Sequence, residues 1–216
     1  MKKYLYLLPI VLLISACVAK SNNTQPETPT EPDTPVEPEI TYVEKQETFT
    51  FKGSSSREYM YGGANVFTPN PLAALKSVFG TLLDDTNEEG ITGSSCTFQF
   101  VGGESSGITS LCVGSSSYGG EINFKFKYDI KEISFKIQNY YKIYNGDQLN
   151  VDTNANLTVE GVNYTLPTSG TVNPEEVTHS YTLPTKKKVL SFSNTAAKQR
   201  TYINELTITY LEPETE

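Results

Sequence analysis

From Glu47 to Leu211 the chain alternates apolar and polar residues in one short run after another. That period of two restricts it to sheets that bury one face. Phe49 and Phe51 alternate with Thr48, Thr50 and Lys52; Ile122, Phe124, Phe126 and Tyr128 alternate with Asn123, Lys125 and Lys127. Ile133, Phe135 and Ile137 continue the pattern, as do Leu157 with Val159, Val162 with Tyr164 and Leu166, and Leu190 with Phe192. The last run is Leu206, Ile208 and Tyr210 between Thr207 and Thr209. Asn145-Gly146, between Tyr140–Tyr144 and Asp147–Val151, predicts a hairpin closed by a type I′ turn. Many short strands with turn signals between them predict a mainly β fold, an antiparallel two-sheet β-sandwich. The last strand, 202–211, is expected to pair with the first, 48–52.

One segment has helical spacing instead. Leu72, Leu75, Phe79, Leu82 and Leu83 follow Asn70-Pro71. Asn70 fits an N-cap and Pro71 the first helical position, so a single inserted helix is predicted near 71–84, covering an open end of the sandwich.

From Leu111 onward the strand pattern resembles a known group. Leu111-Cys112-Val113-Gly114, Gly120–Phe124, Ile130–Phe135 and Tyr202–Tyr210 are similar to the galactose-binding-like, jelly-roll modules of bacterial surface proteins. The helix and the two cysteines depart from that pattern. The resemblance implies a surface or host glycan as ligand.

The N-terminus carries a second resemblance. Lys2 and Lys3 precede an apolar run from Tyr4 to Ile14, broken only by Pro9. Those eleven residues suit a signal peptide and are too few to span a bilayer. The run ends in Ile14-Ser15-Ala16-Cys17, which resembles the lipobox of bacterial lipoproteins. The resemblance implies cleavage before Cys17, a diacylglyceryl group on its thiol and an extracytoplasmic, lipid-anchored place in the bacterial cell envelope. Two acyl chains give stable anchoring where one is marginal. Pro26, Pro29, Pro32, Pro35 and Pro38 then recur every third residue among Thr, Glu and Asp. Three is the repeat of polyproline II, so an extended, solvated rod is predicted. The expected organisation is a signal peptide over 1–16, a tether over 17–47, a β domain over 48–211 and an acidic tail over 212–216.

Charge and composition narrow the chemistry. The chain has 17 Lys+Arg against 25 Asp+Glu, a formal net charge of −8. A nucleic-acid binder needs a cationic face, so none is expected. One His, three Cys and no Cys-x-x-Cys pair rule out the usual zinc sites, and no cofactor is expected. Asp85-x-Asn87-x-Glu89-Gly90 is half of a calcium loop, but Cys96 stands where the bidentate Glu belongs, so it reads as an acidic loop. Asp152-x-Asn154-x-Asn156 is a similar half-signal and reads as a turn. His179 has no nucleophile elbow to serve and reads as a surface-loop residue. Glu104, between Gly103 and Ser105, lacks the apolar pocket that would raise a general acid's pKa. No catalytic residues emerge.

Two sites are expected. A hairpin centred on Glu104 sets Cys96 opposite Cys112, close enough for a disulfide; the alternative is two buried free thiols. With Ile133, Phe135 and Ile137 facing the core, parity sends Gln138, Tyr140, Lys142 and Tyr144 to solvent, where Tyr faces and polar donors suit a sugar. The alternative is an ordinary exposed strand. The functional expectation is a non-catalytic binding module, held at the membrane by lipid on Cys17 and taking a glycan. A structural component of a surface protein complex is the alternative.

Overall fold

The computed structural model describes residues 40–51, 58–60, 69–84, 90–100, 109–144, 148–152, 155–166 and 174–214. The strands are β1 Tyr42–Thr50, β2 Glu58–Met60, β3 Ile91–Ser94, β4 Cys96–Phe100, β5 Thr109–Val113, β6 Glu121–Asn139 and β7 Tyr141–Tyr144. They continue with β8 Gln148–Val151, β9 Asn156–Val159, β10 Val162–Thr165, β11 Val177–Ser193 and β12 Thr201–Pro213; one helix, α1, spans Pro69–Phe79.

The mainly β, antiparallel expectation holds. Rather than two separate sheets, ten of the described strands form one curled sheet. Its main path runs β10-β9-β11-β6-β12-β5-β4-β2. The curl comes from long strands that change partner along one edge. Glu121–Phe124 of β6 pairs with β3, while Asp129–Asn139 pairs with β12. On β12, Thr201–Ile203 pairs with β5, and Glu205–Pro213 pairs with β1. The first and last strands therefore pair, as expected.

Bulges mark the bends. Between Ile130 and Glu132 the β6–β12 register slips by one residue, and this moves the core-facing positions from even (Ile122, Phe124, Phe126) to odd (Ile133, Phe135, Ile137). The two runs of opposite parity in the sequence are thus one 19-residue strand. Glu160 and Gly161 both have positive φ, 53° and 82°, and form the two-residue type I′ turn between β9 and β10.

Helix α1 starts at Pro69, two residues before the expected position, and gives way at Gly80 (φ 53°) to a single 3-10 turn. It covers the core through Leu75 and Phe79, both buried. The Phe79 ring lies 5.0 Å from Phe49, 4.8 Å from Phe124 and 5.4 Å from Phe126. Each such aromatic pair is worth about 0.5–1.5 kcal/mol beyond the area it buries.

The domain boundaries move outward. Residues 42–47, expected in the tether, are the first six of the nine residues of β1, and Glu212 and Pro213, expected in the tail, close β12.

Candidate functional site

The core-facing row of β1 consists of its odd residues, because Phe49 packs on Phe79. Along that row Phe49 is followed outward by Glu47, Lys45 and Val43, all exposed. On β12 the matching row is Leu206, Ile208, Tyr210 and Glu212. The apolar core therefore ends at Tyr210, and beyond it the same sheet face is uncovered. A groove of about 640 Å³ opens there, lined by Thr41, Val43, Lys45, Tyr128, Glu212, Pro213 and Glu214. Its size lies within the roughly 300–1,000 Å³ usual for small-molecule sites.

Aromatic and charged groups are organised around this groove. Tyr128 and Tyr210 stack with ring planes 6° apart and centroids 5.4 Å apart. The Tyr128 hydroxyl donates to Glu212 Oε1 at 2.9 Å, and Lys45 forms an ion pair with the other Glu212 oxygen. Tyr210 donates to Glu47, and Thr41 donates to Glu214 at 2.5 Å. These contacts tune one another. Bonding to Lys45, then to Tyr128, holds the Glu212 carboxyl below its ordinary pKa. The same carboxylate raises Lys45 and Tyr128. Burial, then the bond to Glu47, raises Tyr210. At neutral pH the groove offers a phenol ring beside an ammonium, a carboxylate and a hydroxyl.

The expected ligand row is arranged differently. Parity is as predicted: Gln138 and Tyr140 lie on the face opposite Ile137. That face is not solvent, because Gln138 and Tyr140 are only 8% and 6% exposed. Gln138 donates to the Pro174 carbonyl, and Asn204 donates to Gln138 Oε1 at 3.4 Å. Tyr140 sits with Tyr141, Tyr202 and Cys112 in a second buried cluster. Arg200 covers the Tyr140 ring, with its Cζ 3.4 Å from the ring centroid. Lys142 and Tyr144 lie on β7, and their side chains are outside the described residues. Tyr144 pairs with Gln148, so three residues separate the strands of this hairpin where a two-residue turn was expected.

The cysteines are not bonded. Thr97, not Cys96, faces Cys112, and Cys96 faces Val113. This register is one residue from the predicted one, so the two thiols point to opposite faces of the sheet. Both are buried, and neither forms a disulfide. Cys96 lies in the main core, where burial pushes its thiol pKa up, and Cys112 lies in the tyrosine cluster.

His179 stands on β11 rather than in a loop. Its ring is 5.8 Å from Phe135 and 4.8 Å from Tyr164. Its Nε2 is buried with no hydrogen-bond partner, and desolvation lowers its pKa. Asp152 forms a fork with Arg200. Cys17, Glu104 and Asp85–Glu89 lie outside the described residues.

The sequence reading missed the groove because its two walls are the first and last strands. Their 42–47 and 212–214 segments read as tether and tail. The available signal was the alternation of Val43, Lys45, Glu47 and Phe49, which continues the in-facing row with charges. Compared with known proteins, the chain matches no family model and no curated sequence.

Proposed function

We propose that this chain is a lipid-anchored bacterial surface protein whose β domain is a non-catalytic module binding a glycan in the groove beside Tyr128. The observation that carries the ligand class is Tyr128 itself. Its ring is braced by Tyr210 and flanked by the Lys45 ammonium, the Glu212 carboxylate and the Thr41 hydroxyl. Aromatic faces stack on the C–H side of sugar rings, and such polar groups orient the hydroxyls. The lipobox-like Ile14–Cys17 supports the anchor, and the curled sheet is read as a jelly-roll whose two layers share strands β6, β11 and β12.

A glycan array probed with the full chain in detergent tests the ligand. Tyr128→Ala, shown folded by circular dichroism, should lose about tenfold or more in affinity, equivalent to about 1.4 kcal/mol. Unchanged binding by this variant would remove the groove. Fatty-acid labelling tests the anchor: Cys17→Ser should take up no label and accumulate as precursor.

A second reading, a structural component of a surface assembly, is favoured by the outer edge of β1, on which no strand lies among the described residues.

A further inference from the structure

Strand β1 has one edge on β12 and, among the described residues, no strand on the other. The register is unbroken from Tyr42↔Pro213 to Thr50↔Glu205. Two backbone bonds fix which residues face which way. The Glu214 N–H bonds to the Thr41 carbonyl, and the Phe51 N–H bonds to the Asn204 carbonyl. Odd residues thus face β12. Tyr42, Glu44, Gln46, Thr48 and Thr50 direct their N–H and C=O groups to the outer edge, since antiparallel pairing alternates sides residue by residue.

Such an edge is a template for another strand unless it is guarded. The outer edge of β11 is guarded by Pro184 and the exposed Lys186, Lys187 and Lys188. On β1 the charged side chains are drawn across its own sheet instead. Lys45 binds Glu212, Glu44 binds Lys131, and Glu47 accepts from Tyr210. Every residue of β1 except Phe49 is exposed.

We infer that the outer edge of β1 pairs with β1 of a second copy, making one continuous sheet through an antiparallel two-fold interface. The sequence of the strand is complementary to itself in one register. A two-fold axis normal to the sheet keeps each residue on its own face, so opposed residues must have the same parity. Centring on Gln46 overlaps the full strand from Tyr42 to Thr50. It sets Lys45 opposite Glu47 of the second copy twice, and Val43 opposite Phe49 twice. These fall at the non-hydrogen-bonded sites, where side chains approach most closely. Glu44 meets Thr48, and no like charges are opposed. Shifting the centre by one residue sets Lys45 against Lys45 or Glu47 against Glu47 at the interface, depending on direction and extent. The proposal rests on the β1 backbone and does not depend on the glycan reading.

Nine paired residues would put the two Tyr42 ends about 30 Å apart.

The test measures the mass of the purified full chain in detergent by light scattering. The wild type should be dimeric. Gln46→Pro removes an outward N–H without touching the β12 ladder, so it should fold and be monomeric. Lys45→Glu should also be monomeric, and adding Glu47→Lys to it should restore the dimer by exchanging the charges. The Lys45→Glu pair of variants decides the matter if Gln46→Pro misfolds. A monomeric wild type, as when another segment or another protein occupies the edge, overturns the proposal. So does a dimer that survives both single substitutions.

Discussion

The guanidinium of Arg200 lies over the Tyr140 ring while Asp152 grips its edge, with Nε 2.7 Å from Oδ2 and Nη2 2.8 Å from Oδ1. The Arg200 backbone N–H adds a third bond to Asp152 Oδ2 at 3.0 Å. This joint fastens the end of the β7–β8 hairpin to the chain entering β12. Both side chains are largely buried, so removing one leaves the other charged and unpaired. Arg200→Ala should therefore cost about 3–5 kcal/mol in urea unfolding, and Arg200→Met with Asp152→Leu should cost less than either single truncation.

The cysteines make a second prediction. With Thr97 opposite Cys112, neither thiol can reach the other. Burial also keeps the Cys96 thiol protonated, and the thiolate is the reactive form. Unreduced folded protein should resist alkylation at Cys96 and Cys112, and both should alkylate once it is unfolded. Mass spectrometry counts the adducts; a pair of sites that stays blocked in denaturant without reductant would mean a disulfide.

His179 imposes a pH dependence. Its folded pKa lies below the ordinary 6.5 because its half-buried ring is desolvated. As the pH falls below 6.5, the unfolded chain binds a proton that the folded chain resists. The contribution of this residue is complete above 6.5 and declines as the pH falls toward the depressed value. His179→Phe should flatten that limb of the stability curve, measured as urea midpoint against pH.

Glu212 titrates in the same direction but lower. Its folded pKa is depressed below 4.5 by Lys45 and Tyr128, so its contribution is present above 4.5 and lost as the pH falls through the lowered value. On the proposed glycan-binding function, retention in the groove should follow the same acid limb. Glu212→Gln should shed that limb at the cost of weaker binding at neutral pH.

Alternation carried the β content, and it also carried parity: Gln138 and Tyr140 do lie opposite Ile137. Parity names a face of the sheet but not what covers it. Here Arg200, Asp152 and Pro174 arrive from distant segments with no local signature. The register of β4 on β5 was beyond reach for a similar reason. Alternation reads the same in registers one residue apart, and that one residue decides whether the two cysteines meet. Helix α1 was legible because its apolar positions and its Pro are local. The groove was not, since its walls are 163 residues apart where Tyr210 meets Glu47.

That separation also orders the folding of the domain. Contacts between distant residues form slowly, because a long loop must close before they are rewarded. The Thr41–Glu214 contact spans 173 positions. In a chain emerging from its N-terminus, β1 appears first among the strands and is seated last. Until β12 arrives, β1 lacks the strand it pairs with along its whole length. A chain stopped before residue 201 would present β1 as a sticky free strand, so such truncations should aggregate rather than fold to a smaller domain.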